Sequence, residues 1–112
     1  MRAISRSRIR LPSMYTIKET GKFKTWLAGL KDLRARSRIV ARIVRAGQGN
    51  LGDCEPVGDG VSEMRIAYGP GYRVYFAREG EITYLLLCGG NKSSQARDIL
   101  AARELWRQLR KK

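Results

Sequence analysis

The sequence predicts an α+β domain with a mainly antiparallel sheet, in the order strand, two helices, three strands, helix. Three observations carry this: helical apolar periodicity between residues 20 and 45, strand-like segments between residues 61 and 89, and a last helical stripe near the C-terminus. With 112 residues, 43 % of them hydrophobic and 29 % charged, the chain is expected to hold one core, in a single domain over residues 14–112.

Residues 1–13 carry Arg2, Arg6, Arg8 and Arg10 and little apolar pattern, so they read as a basic flexible arm, or as an upstream start ahead of Met14. Residues 15–19 alternate apolar and polar as a short first strand would. Thr20 is a candidate N-cap for a helix with Phe23, Trp26, Leu27 and Leu30 on one side. Asp32 is a candidate cap for a second helix bearing Leu33, Ile39, Val40, Ile43 and Val44. Residues 46–60 contain Gly47, Gly49, Gly52, Gly58 and Gly60 and read as turns.

Residues 61–67 and 72–78 form the next two expected strands, joined through Tyr68-Gly69-Pro70-Gly71. Glu79-Gly80 is a compact hairpin loop leading to a strand over 81–89, apolar on both faces and therefore covered on both sides. Ser93 or Ser94 would cap a final helix with Ile99, Ala102, Trp106 and Leu109 as its buried stripe. Phe23, Trp26 and Trp106 belong to the core on this reading, Cys88 is buried in its strand, and Cys54 is a loop thiol.

Charge narrows the function. Twenty-three Lys and Arg against ten Asp and Glu give +13, which calls for a polyanionic or acidic partner, most simply nucleic acid. No run approaches the roughly 20 apolar residues of a membrane span, and the N-terminus lacks the apolar core of a secretory signal, so a cytoplasmic protein is expected. Histidine is absent and the two cysteines lack ligand spacing, so neither a metal site nor histidine acid–base chemistry is expected.

Alternation assigns the polar face. If Met64, Ile66, Val74 and Phe76 turn inward, Glu63, Arg65, Arg73 and Tyr75 turn the other way together. Two guanidinium groups there would clamp a phosphate, with a carboxylate and a phenol close by for proton transfer. The alternative is a solvated outer face in which Arg65 pairs with Glu63 or Tyr75. Arg34, Arg38, Arg42 and Arg45 form a basic stripe on the second helix that would repel itself unless an anion neutralised it. Gly89-Gly90-Asn91-Lys92-Ser93 matches only the tail of a phosphate-binding loop, yet Lys92 at a helix start favours an anion; a plain helix cap is the alternative.

Three segments occur in order within this layout: Val57-Gly58-Asp59-Gly60-Val61-Ser62-Glu63-Met64-Arg65-Ile66, Tyr68-Gly69-Pro70-Gly71-Tyr72-Arg73-Val74-Tyr75-Phe76, and Leu85-Leu86-Leu87-Cys88-Gly89-Gly90-Asn91-Lys92-Ser93-Ser94-Gln95. With them the chain from Met14 to about Lys111 resembles the RelE/ParE toxin superfamily of bacterial toxin–antitoxin modules, in its HigB-like addiction module killer branch. The resemblance implies a RelE-like fold and a type II toxin that cuts translated mRNA in the ribosomal A site without metal or cofactor. It also implies a cognate antitoxin, such as a helix-turn-helix protein encoded in the same operon. Arg73 falls on the family's strand arginine, while Lys92 and Arg65 lie near its basic positions. The family's RNA-cleaving members often place a tyrosine or histidine near the C-terminus, and the stretch after Lys92 holds neither. Glu63, Tyr75 or a lysine would then have to serve. The same fold also hosts ParE-like toxins that inhibit DNA gyrase without cutting RNA, and a non-toxic RNA-binding domain is the third reading.

Overall fold

The computed structural model describes residues 14–111; the arm expected over residues 1–13 lies outside the described residues. The elements are β1 (Thr16–Glu19), α1 (Gly21–Ala28), α2 (Leu33–Gly47), β2 (Cys54–Gly58), β3 (Val61–Ile66), β4 (Tyr72–Arg78), β5 (Thr83–Asn91), a 3-10 turn (Lys92–Ser94) and α3 (Gln95–Leu109). They build an α+β domain around one five-stranded sheet of order β1-β5-β4-β3-β2. The sheet is mixed, because β1 pairs parallel to β5 while the other pairs are antiparallel. Among the described residues no helix is long and apolar enough to cross a membrane.

Both expected caps are made. The Thr20 hydroxyl accepts from the Phe23 amide and donates to the Leu87 carbonyl, which ties the start of α1 to β5. The Asp32 carboxylate accepts from the Arg34 and Ala35 amides. Phe23, Ile39, Met64, Ile66, Val74, Phe76, Tyr84 and Leu86 form one core under α1 and α2. Val61, Tyr75, Leu85, Leu87 and Cys88 form a second, against Ala102 and Trp106 of α3. The last strand is thus covered on both sides, as its all-apolar pattern requires. Phe23, Trp106 and Cys88 are buried and Trp26 is half-buried against the first core.

Four corrections to the expected layout follow from local chemistry. Residues 46–60 are not all turn: Cys54, Glu55 and Pro56 pair with Met64, Glu63 and Ser62, and β2 is an edge strand, where proline costs no ladder bond. Cys54 accordingly lies in a strand, with its thiol pushed up by burial. The final strand begins at Thr83 and runs through Asn91, so Gly90 and Asn91 continue it rather than opening a loop. The helix start is capped by Asn91, whose side chain accepts from the Ser93 amide, and not by the Ser93 or Ser94 hydroxyl.

The two glycines are explained by close approach. Pairing of β4 with β5 slips by one residue after Tyr75, so Leu87 is an extra residue and Leu85, Leu87 and Cys88 all pack on the α3 side. Beyond the bulge, a Cβ on Gly89 would lie 2.3 Å from the Trp26 ring, and one on Gly90 would lie 1.9 Å from the Asp98 carboxylate. Neither position has room for a side chain.

Candidate functional site

The antiparallel β3–β4 hairpin sets Glu63 opposite Tyr75 and Arg65 opposite Arg73, so all four occupy one face, as the alternation predicts. That face is divided by α3. Glu63 and Tyr75 lie under the helix, 1 % and 0 % exposed, Arg73 is largely buried beside them, and Arg65 is partly exposed. Arg73 lies opposite Gly90 on the next strand, and the place a Gly90 side chain would take is filled by Asp98 and Ser94.

A carboxylate organises the buried half. Glu63 Oε2 accepts from the Tyr75 hydroxyl at 3.1 Å and from Gln95 Nε2 at 2.8 Å, and Oε1 stands 3.6 Å from Arg73 Nη1. Burial, followed by the neighbouring Glu63 charge, pushes the Tyr75 phenol far above its ordinary range, which keeps it a proton donor to Glu63. Neither Glu63 nor Tyr75 reaches solvent, which counts against the expected proton-transfer role: Glu63 pairs with Arg73, and Tyr75 donates to Glu63. The expected solvated pairing of Arg65 with Glu63 or Tyr75 is not formed either. Arg65 instead forks to Asp53 Oδ1 and Glu55 Oε1, each at 3.1 Å, and those bonds raise its pKa, the Asp53 hydrogen bond being the larger cause.

A depression of about 250 Å³ is lined by Asp53, Arg65, Ile66, Ala67, Gly71 and Arg73. Lys92 adjoins it, because a Cβ on Gly71 would stand 3.4 Å from the Lys92 Cβ. Gly71 adopts φ +82°, a backbone conformation that favours glycine. Arg73 Nε is buried without a hydrogen-bond partner. Of the three expected phosphate ligands, Arg65 and Arg73 line this hollow, and Lys92 stands beside its Gly71 wall.

The α2 stripe is less uniform than its spacing suggests. Arg42 turns inward and donates to the main-chain carbonyls of Arg65, Leu51 and Asp53, locking α2 to β3 and its flank. That corrects its expected role as a free nucleic-acid contact, since its donors are already engaged by the fold. Arg34, Arg38 and Arg45 remain exposed. A second depression of about 270 Å³ is lined by Arg38, Ala41, Arg42, Arg45, Ile66, Ala67 and Tyr68.

Sequence reading missed Gln95, Asp53 and Tyr68. Only the carboxylate–arginine ladder made by the unrecognised strand β2 would have pointed to Asp53. Nothing in the local pattern marks Gln95, whose contact spans 32 positions of sequence. Among the described residues no group of three or more His, Cys, Asp or Glu is placed to hold a metal ion.

No family model matches the chain. A Haemophilus influenzae protein described as an uncharacterized protein is 48 % identical to it over 93 residues, which cover 83 % of this chain and 94 % of that one. Identity of that degree over nearly the whole relative means shared descent, and the chain belongs to the same protein family as this Haemophilus influenzae protein.

Proposed function

We propose that the chain is a RelE-like toxin of the RelE/ParE superfamily, HigB-like branch, acting as a metal-independent, ribosome-dependent mRNA endoribonuclease in the cytoplasm. Its partners on this reading are the ribosome with its mRNA and a cognate antitoxin. The observation that carries the reading is that Arg65 and Arg73, from two neighbouring strands, line one hollow, with Lys92 beside its Gly71 wall. The α+β architecture with a five-stranded sheet and a C-terminal helix is compatible with it.

In the proposed reaction the ribose 2′-oxygen attacks the adjacent phosphorus and the bond to the 5′-oxygen breaks. The products are a 2′,3′-cyclic phosphate and a 5′-hydroxyl. Arg73, held by Glu63, and Arg65 stabilise the charge that grows on the non-bridging oxygens. Asp53 is the carboxylate lining the hollow and takes the 2′-hydroxyl proton, while the Lys92 ammonium supplies the proton to the departing 5′-oxygen. A phosphate entering the hollow draws Arg65 from its exposed pairs with Asp53 and Glu55, which are weak in water.

Mapping mRNA 5′ ends on translating ribosomes with purified protein tests this. New ends are expected, and Arg65→Gln or Lys92→Gln should reduce their rate by about 10²-fold, the typical effect of one lost charge-stabilising donor. Unchanged mRNA would remove the reading. The enclosure of Glu63 and Tyr75 favours a second one, a ParE-like toxin that inhibits DNA gyrase without RNA chemistry. Loss of supercoiling activity with intact mRNA would support it.

A further inference from the structure

We infer that the groove between Arg38, Arg45 and Tyr68 is a second nucleotide subsite, which takes a single-stranded RNA residue next to the one held at Arg65 and Arg73. This rests on the RNA-cleaving reading and adds to it the form of the substrate.

The groove has three guanidinium groups and no carboxylate in its lining. None of the α2 arginines joins an ion pair among the described residues, although Arg65, Arg73, Arg97, Arg103 and Arg107 all do. Arg42 spends its donors on main-chain carbonyls, so its charge stays uncompensated inside the groove while its hydrogen bonds are used. Arg38 and Arg45 are left free to bind an anion.

The groove also offers a stacking surface. The Arg38 guanidinium lies over the half-buried Tyr68 ring, 4.6 Å from its centre, and guanidinium and aromatic planes are the surfaces on which unpaired bases stack. Bases in a duplex are already stacked and paired, so the surface selects single strands. Ile66 and Ala67 wall both this groove and the Arg65–Arg73 hollow, so a chain crossing the end of β3 occupies both.

The test is fluorescence anisotropy of the full chain with labelled 2′-O-methyl oligoadenylates two and six nucleotides long, which bind without being cut. The hexamer should bind tighter than the dimer. Arg38→Gln/Arg45→Gln and Tyr68→Leu should each weaken the hexamer about tenfold or more and leave the dimer unchanged. The double variant should also lower the slope of log K against log salt by about 1.4, the value for two phosphate contacts to a single strand. Lys24→Gln/Arg97→Gln, which removes the same charge elsewhere, should change the hexamer much less.

Equal losses in both double variants would overturn the inference, as would duplex RNA or a polyglutamate peptide binding as well as the hexamer with the same dependence on Tyr68. A hexamer advantage that survives Arg38→Gln/Arg45→Gln, with dimer binding still sensitive to Arg65→Gln, overturns the subsite and leaves the nuclease reading standing. No binding to either oligonucleotide overturns the subsite, while the nuclease reading stands or falls with the 5′ ends mapped on translating ribosomes.

Discussion

Arg73 is a largely buried cation, and Glu63 is the carboxylate that compensates it. A carboxylate 1 % exposed is tolerable when donors surround it, and here Tyr75, Gln95 and Arg73 supply them. Glu63→Gln keeps the shape and removes the charge, leaving Arg73 a buried cation without its partner. It should lower unfolding free energy in urea by about 3–5 kcal/mol. Arg73→Met should then cost less in the Glu63→Gln background than in the wild type, with a coupling of about 1–3 kcal/mol. Additive losses in that cycle would show that the pair does not interact. The period of two along β3 and β4 suffices to place these four residues on one face. It is silent on which of them are covered, because that depends on where α3 crosses the sheet, and α3 is distant in sequence from both strands.

Among the elements, α3 decides what the sheet face can do, and Asp59 is one of its anchors. This residue sits at φ +54° between Gly58 and Gly60, in the turn joining β2 to β3, and accepts hydrogen bonds from Arg103 at 3.2 Å and Arg107 at 3.1 Å. The Arg103 hydrogen bond, then the Arg103 charge and the Arg107 bond, hold its carboxyl below the ordinary 3.8. A depressed folded value means that the anchor contributes above the unfolded pKa and is lost as pH falls through the folded one. Asp59→Asn, which tolerates the same backbone, should therefore lower Tm at pH 7, and the gap to wild type should close as the pH drops below about 4. A gap that stays constant across that range would contradict the ion-pair account. The helices are legible from period and caps, since Thr20 and Asp32 are local signals. Strand β2 is hidden because Pro56 and Gly58 look like punctuation, although at a sheet edge they disrupt no second neighbour. Likewise Gly89 and Gly90 resemble part of a phosphate loop, whereas Trp26 and Asp98 lean on them from opposite sides of β5.

Over the whole molecule the charge of +13 is unevenly matched: acids pair with the arginines of β3, β4 and α3, while α2 carries five arginines and only Asp32 at its start. Such a face costs stability through self-repulsion, and a bound polyanion would offset that cost. Two consequences can be separated by salt. At low ionic strength the arginines of α2 lie within one Debye length of each other, so raising sodium chloride from about 0.01 to 0.3 M should raise Tm. Arg38→Gln/Arg45→Gln should be more stable than wild type at the low-salt end, and the two should converge as screening grows. A short single-stranded polyanion should stabilise the wild type further at fixed salt by mass action, and the variant less. If the variant were instead less stable at every salt concentration, these arginines would be part of what holds the fold together, and a binding role for α2 would lose its physical basis.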